Sequence, residues 1–90
     1  MKYEIYYVAG GRDQVAKTFA EALAKIRRRF MRTYSSGWRI ENAYDDHSDE
    51  AIERDFDGCE GDRTWAIYRN INIANCKREY AYITERDDED

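Results

Sequence analysis

One amphipathic segment constrains the fold of this 90-residue chain more than any other feature. After Thr18, apolar residues recur at spacings of four, three, four and four, which places them in one stripe along a helix. The stripe consists of Phe19, Leu23, Ile26, Phe30 and Tyr34. Thr18 and Glu21 form a capping-box pattern, in which two side chains satisfy free backbone donors at a helix start. We predict a helix of about 16 residues that begins after Thr18 and is closed by Gly37 in the left-handed conformation.

Five segments with the two-residue period of half-buried strands surround this helix. They cover 2–8, 14–17, 38–44, 64–71 and 79–84, of which 14–17 has the weakest pattern. In the last segment, Tyr80, Tyr82 and Thr84 are expected on one face of the strand. The predicted fold class is α+β, with a mainly antiparallel sheet of about four to five strands and one principal α-helix packed on a face.

The domain organisation follows from the chain length. Ninety residues leave room for one core, so we predict a single α+β domain over 1–86, with an acidic segment at 45–62, and an acidic tail at 87–90. The acidic segment is expected to be long and exposed, with at most a short helix within 51–56. The helix stripe is expected to pack on a sheet that includes Tyr3, Ile5, Ile40 and Ile67.

Charge is distributed unevenly along the chain. Residues 1–40 include nine Lys or Arg and three Asp or Glu, a balance of +6, whereas residues 41–90 include six and sixteen, a balance of −10. Ten of the acids lie between Glu41 and Asp62, where Arg54 is the only basic residue. Because crowded carboxylates repel one another, we expect the basic helix, a cation or a basic partner to lie near them.

The sequence contains no recognisable catalytic arrangement, and we predict that the protein is not an enzyme. The only histidine, His47, lies among aspartates that favour its charged form, and we interpret it as a surface residue. Neither Cys59 nor Cys76 lies in a nucleophile motif, and a reducing cytosol would keep both as thiols. Gly10 and Gly11 lack the further residues of a phosphate-binding loop.

The segment 53–64 matches a calcium-binding loop only loosely. Glu53, Asp55, Asp57 and Gly58 occupy positions 1, 3, 5 and 6, but position 1 is normally Asp, and position 12 is Thr64 in place of Glu. The histidine and the two cysteines do not have the spacing of zinc ligands. We predict no metal site and no cofactor, while a structural or metal-binding small domain stays open as an alternative.

The chain has no apolar run near the roughly 18 to 20 residues that span a bilayer, and residues 1–10 lack the apolar core of a signal peptide. We therefore predict a cytoplasmic protein without membrane contact.

The concentration of acids favours a protein-binding module over an enzyme. A folded group of carboxylates can enter a groove that normally receives nucleic-acid phosphates, because both present closely spaced negative charges. We predict that the chain binds a basic protein partner as a nucleic-acid mimic, with aromatic residues at the centre of the interface. The predicted partner-binding residues are Tyr44, Asp45, Asp46, Asp49, Glu50, Glu53, Asp55, Phe56, Asp57, Glu60 and Asp62.

The alternative site is the basic face of the helix, formed by Lys25, Arg28, Arg29 and Arg32. Tyr34 and Trp38 follow it, so phosphate contact and base stacking are both chemically reasonable. Direct nucleic-acid binding ranks below protein binding, because the chain as a whole is acidic, with a pI near 5.0.

In length, single-domain character and its acidic runs at 45–62 and 87–90, the chain resembles small phage-encoded accessory proteins, including anti-CRISPR and other anti-defence inhibitors. The resemblance concerns composition, so it does not assign a role to any individual residue. It implies an inhibitor that binds a host nuclease complex where that complex contacts nucleic acid.

Overall fold

The computed structural model describes residues 1–34, 37–56, 63–71 and 77–87. Its elements are β1 (Lys2–Tyr7), β2 (Gln14–Ala16), α1 (Phe19–Thr33), β3 (Trp38–Glu41), α2 (Asp49–Arg54), β4 (Thr64–Ile71) and β5 (Arg78–Arg86). The five strands form one sheet in the order β2-β1-β5-β4-β3, and every neighbouring pair is antiparallel. The predicted α+β class is confirmed, and the weakest strand candidate is a true strand that pairs with β1.

Helix α1 begins as predicted and ends differently. The Thr18 hydroxyl accepts a hydrogen bond from the Glu21 N–H at 3.1 Å, and the Glu21 carboxylate accepts one from the Lys17 N–H at 3.3 Å. At the other end, Tyr34 is the C-cap in an extended conformation, and its N–H donates to the Phe30 carbonyl. The prediction of a left-handed Gly37 cap is wrong, because positive φ angles occur at Gly10 and Gly11 but not at Gly37. The chain leaves the helix at Tyr34, where the ring stacks on Phe30 at 4.7 Å.

The core lies between α1 and one face of the sheet. Phe19, Leu23, Ile26 and Phe30 are at most 5% exposed, and Ile5, Ile40 and Ile67 are at most 1% exposed. Trp65 of β4 is equally buried and packs on the Phe19 ring at a centroid distance of 4.6 Å. The predicted packing of the helix stripe on the sheet is confirmed, with Tyr3 half-buried at its edge.

A β-bulge changes the predicted face of one tyrosine. Ile67 pairs with Ala81, but Tyr68 pairs with Glu79, so Tyr80 is an extra residue in β5. Tyr80 is therefore buried on the same side as Ala81, in edge contact with Phe30 at 5.3 Å. The prediction that Tyr80 shares a face with Tyr82 and Thr84 is wrong, since strict alternation assumes a strand without a bulge.

The sheet face opposite α1 is less covered. Tyr6 and Tyr82 alternate with the core residues of their strands and therefore lie on this face. Their ring centroids are 6.4 Å apart, and Tyr6 is 54% exposed. At β1 and β5 the sheet thus has one covered and one more open face, the usual arrangement of an antiparallel sheet, whereas Glu41 and Asn70 are buried on this face at the β3–β4 end.

The predicted third strand is shorter than expected. Strand β3 ends at Glu41, whereas the apolar alternation continues to Tyr44. The chain leaves the strand at Asn42, whose side chain binds the following backbone in place of the sheet. The segment after Asn42 then forms a loop and the short helix α2, so part of the predicted long, exposed acidic segment is ordered.

Candidate functional site

Asn42 organises the loop that follows β3. Its Oδ1 accepts hydrogen bonds from the Tyr44 N–H at 2.8 Å and the Asp46 N–H at 3.0 Å, while its Nδ2 donates to the Ala51 carbonyl at 3.4 Å. The backbone N–H of Asn42 donates to the Asp46 carbonyl at 2.9 Å. Asn42 is only 3% exposed, so these contacts form where water cannot replace them. One buried amide therefore fixes the path of the loop and its attachment to α2.

Two aspartates complete this loop by binding backbone donors. The Asp46 carboxylate accepts from the Ser48 N–H at 2.9 Å, and Ser48 in turn caps α2 by accepting from the Ala51 N–H at 3.2 Å. The hydrogen bond from the Ser48 backbone lowers the pKa of Asp46, because it favours the ionised carboxylate. Asp55, just after α2, accepts from the Ala43 N–H at 3.0 Å and joins the two ends of the segment.

A buried carboxylate lies beneath the start of the loop. Glu41 is fully buried; its two oxygens accept from Asn70 Nδ2 and Arg39 Nε, each at 2.8 Å. Lys77 Nζ lies 3.6 Å from Glu41 and 2.6 Å from Asp45, and its hydrogen bond and charge lower the pKa of Asp45. The backbone of Asp45 lies in the left-handed region at a φ of 67°. No local signal in the sequence identified Asn70 and Lys77 as partners of Glu41.

Tyr44 and Phe56 lie at the same surface depression. The two side chains are 79% and 43% exposed, respectively. The depression has a volume of about 500 Å³, and its other lining residues include Asp46, Arg54 and Asp55. We call this surface the Tyr44–Phe56 depression. The structure thus brings together the two aromatic residues that were predicted to form the apolar centre of an interface.

Phe56 also marks the boundary with the core. Its ring centroid lies 6.0 Å from Trp65, and the Arg63 guanidinium carbon lies 5.3 Å from its ring. The Trp65 indole N–H donates to the Glu53 carbonyl at 2.7 Å, which ties the end of α2 to β4. Phe56 therefore has one side against the core and one side exposed to solvent.

The predicted acidic residues that the structure describes divide into three groups. Asp45 and Asp49 form ion pairs with Lys77 and Arg27, whereas Asp46 and Asp55 bind backbone N–H groups. Glu50 and Glu53 are exposed, and neither side chain forms an ion pair with another described residue. Asp57, Glu60 and Asp62 lie outside the described residues. Part of the repulsion between the acids is thus relieved within the chain itself, and one of these contacts comes from the basic helix.

The alternative basic face of α1 is less free than its sequence indicates. Arg29 donates to the Gly10 carbonyl at 2.6 Å, and its guanidinium lies 3.8 Å from the centre of the Tyr7 ring. Gly11 lies beside this guanidinium at a φ of +112°, a backbone conformation that favours glycine. Arg28 and Arg32 are exposed, while Lys25 is half-buried.

The residues of the predicted calcium-loop alternative have other contacts. The Glu53 carbonyl binds Trp65 and the Asp55 carboxylate binds Ala43, while Asp57 and Gly58 are outside the described ranges. Within those ranges there is no group of three or more His, Cys, Asp or Glu side chains arranged to bind a metal. Cys59 and Cys76 also fall outside the part of the chain that the structure describes.

Comparison of the chain with protein-family models, with curated proteins and with solved structures finds no match. Among the helices of the described residues, none combines the length and apolar character that crossing a membrane requires. Function therefore has to be inferred from the residues and geometry of this chain.

Proposed function

We propose that this protein is a non-catalytic binding module that docks a basic protein partner on the Tyr44–Phe56 depression. The observation that carries the proposal is the exposure of two aromatic side chains at one acidic depression, on a loop held by its own hydrogen bonds. Aromatic residues are enriched at the centres of protein interfaces, where they bury large areas at small entropic cost.

The chemistry of the depression favours a lysine or arginine side chain as its occupant. Tyr44 and Phe56 offer aromatic surface to the aliphatic stem and to the cation, an interaction of about 0.5 to 2 kcal/mol. The carboxylates of Asp46 and Asp55 line the same depression, opposed there by Arg54. Glu50 and Glu53 on the adjacent α2 are exposed and extend the negative surface. A basic partner is therefore favoured over an acidic one.

Pre-organisation also supports a binding role. An ordered loop loses less conformational freedom when it binds than a flexible one, so more of the contact energy is available for affinity. Asn42 and Asp55 connect the loop to both ends of the segment, so Tyr44 extends from a fixed backbone. A solubilising acidic run would not require this network.

The first test compares proteins captured from a host-cell lysate by immobilised wild-type chain and by Tyr44→Ala. We expect at least one protein to bind the wild type and to be lost or weakened about tenfold or more on Tyr44→Ala, as for a central aromatic contact. Tyr6→Ala is the matched control, because it removes an exposed tyrosine of β1 that does not line the depression. If Tyr44→Ala retained every captured protein as well as the wild type does, the interface would lie outside the Tyr44–Phe56 depression.

A second experiment tests how much charge contributes to binding of the captured partner. Association should weaken as salt rises from about 50 to 500 mM, because screening reduces electrostatic steering. Glu50→Gln with Glu53→Gln should slow association while the fold stays unchanged, since both side chains are exposed. If the affinity did not depend on salt, electrostatic attraction by the carboxylates would be contradicted, and binding would depend on apolar contacts.

The inhibitor form of the proposal follows from the resemblance to anti-defence proteins. It requires that the recovered partner bind nucleic acid and that this chain displace a labelled oligonucleotide from it. Displacement by the wild type but not by Tyr44→Ala would support nucleic-acid mimicry. A ternary complex with unchanged oligonucleotide affinity would support a binding module that is not a competitor.

A further inference from the structure

A second surface lies where α1 ends and β3 begins. The Tyr34 and Trp38 ring centroids are 5.1 Å apart, and the Arg69 guanidinium carbon lies 5.6 Å from the Tyr34 ring and 5.4 Å from the Trp38 ring. Both rings are half-buried. They also line a depression of about 320 Å³ between α1 and β3, whose rim includes Met31, a residue that is 76% exposed. Partly exposed aromatic rings beside a guanidinium form a surface that can both stack on a flat ligand and bind an anion.

An unfavourable pair of like charges points to an anionic ligand here. Arg78 of β5 lies directly opposite Arg69 of β4, and residues in such a position share one face of the sheet. Like charges directly opposite each other destabilise a sheet. Within the described ranges, neither guanidinium forms an ion pair with a carboxylate. The bulge at Tyr80 produces this register, because without the extra residue Arg69 would face Glu79.

We propose that the surface formed by Tyr34, Trp38, Arg69 and Arg78, the arginine–aromatic surface, binds single-stranded nucleic acid. Bases stack on the Trp38 and Tyr34 rings, since every base has a flat face that aromatic side chains accept. Phosphates lie between Arg69 and Arg78 and neutralise the opposed guanidinium groups. A flexible single strand can present a base and its phosphate to adjacent groups, whereas stacked duplex bases cannot reach the rings.

This proposal is independent of the Tyr44–Phe56 depression. The two depressions share no lining residue. We expect the arginine–aromatic surface to bind nucleic acid weakly, because the net charge of −4 repels a polyanion at long range. Binding should therefore be clearest at low salt.

The test uses a fluorescein-labelled 12-nucleotide oligo(dT), with oligo(U) of the same length as the RNA form, at about 50 mM salt, where phosphate contacts are strongest. Fluorescence anisotropy measures the affinity, and tryptophan fluorescence reports stacking. Of the two tryptophans, Trp65 is 1% exposed, so quenching on binding reports Trp38. We expect saturable binding of at least one oligonucleotide together with quenching. Trp38→Ala should weaken the binding about tenfold, as for the loss of one stacked base.

The arginines are tested with a matched charge control. Arg69→Gln with Arg78→Gln should reduce the slope of log affinity against log salt by about one for each phosphate that the variant no longer binds. Arg54→Gln with Arg63→Gln removes the same charge from another part of the molecule and should change the slope little. Melting curves of both double variants confirm that each is folded before binding is compared.

Three outcomes would overturn the proposal. The first is the absence of oligonucleotide binding at about 50 mM salt, where phosphate contacts are strongest. The second is an equal loss of affinity in the two double variants, which would show general charge attraction without a defined site. The third is competition by oligo-glutamate as effective as that by unlabelled oligonucleotide, which would assign the surface to acidic proteins. Selective loss in Trp38→Ala and in the Arg69 and Arg78 double variant would support it.

Discussion

The core under α1 and the loop from Asn42 to Phe56 are stabilised in different ways. In the core, many apolar side chains share the stabilisation, and those of Leu23 and Ile26 are at most 1% exposed. The loop also buries Ile52 of α2 in the core, but polar atoms fix the path of its backbone, and Asn42 alone accepts two backbone hydrogen bonds. Apolar burial has no preferred direction, whereas hydrogen bonds fix donors and acceptors in position. The core thus supplies the stability of the fold, and the loop supplies the precision of the candidate site.

The largest loss of unfolding free energy is expected from a substitution in the core. Leu23→Ala removes a side chain that is 1% exposed, and should lower the free energy of unfolding by about 2 to 5 kcal/mol through reduced burial and a cavity. Met31→Ala in the same helix is the control and should cost less than about 0.5 kcal/mol, because Met31 is 76% exposed. Denaturant unfolding measures both. A similar loss in the two variants would show that burial does not decide the contribution of a side chain in α1.

A substitution in the loop should lower the free energy of unfolding less than Leu23→Ala does. It should also open the loop locally. Asn42→Ala removes the acceptor of the Tyr44 and Asp46 N–H groups and should cost about 1 to 3 kcal/mol. Tyr44→Ala in the same loop should change stability by less than about 0.5 kcal/mol, because that side chain is 79% exposed. Denaturant unfolding and amide hydrogen exchange distinguish the two. Unchanged protection of the Asp46 and Ala51 amides in Asn42→Ala would show that the loop does not depend on the amide side chain.

The difference between apolar burial and specific hydrogen bonds explains which parts of the fold and of the candidate site could be predicted from the sequence. Helix α1 and the packing of Ile5 and Ile67 followed from local periodicity, because burial requires one apolar face per element. The bulge at Tyr80 did not follow, because it depends on pairing with β4, a strand distant in sequence. The end of β3 did not follow either, because side-chain alternation does not show that the Asn42 amide binds the backbone just after it. For the site, the pairing of Tyr44 and Phe56 was expected from proximity along the chain. The internal use of most of the described acids was left open, since a charge count does not show which carboxylates bind backbone donors.

Two buried tyrosine hydroxyls in the core differ in their hydrogen bonding. The Tyr7 hydroxyl donates to Gln14 Oε1 at 2.6 Å, whereas the Tyr80 hydroxyl is buried with no hydrogen-bond partner among the described residues. Tyr7→Phe should therefore cost about 0.5 to 1.5 kcal/mol, and Tyr80→Phe should be neutral or stabilise the fold by up to about 1 kcal/mol. Thermal and denaturant unfolding measure both. A larger loss in Tyr80→Phe than in Tyr7→Phe would contradict the assignment of Tyr80 as an unpaired group.

The smallest expected effect is the response of the loop to acid. The pKa values of Asp45 and Asp46 are lowered from 3.8, Asp45 mainly by Lys77 and Asp46 mainly by the Ser48 backbone. A group whose folded pKa is lowered adds stability above its ordinary pKa and loses that contribution as pH falls through the folded pKa. The loop should therefore loosen below about pH 4, before the apolar core under α1 responds.

Amide protection factors measured by NMR from about pH 6 to 2.5 test this order, since protection reports local opening. We expect protection of the Ser48 and Ala51 amides to fall relative to that of Ile26 in α1. Asp46→Asn keeps an oxygen acceptor for the Ser48 N–H but removes the titrating group, so it should reduce the pH dependence at Ser48. Parallel loss of protection at Ser48 and Ile26 across this range would mean that the loop and the core open as one unit. The ionised aspartates would then stabilise the whole fold in place of the loop alone.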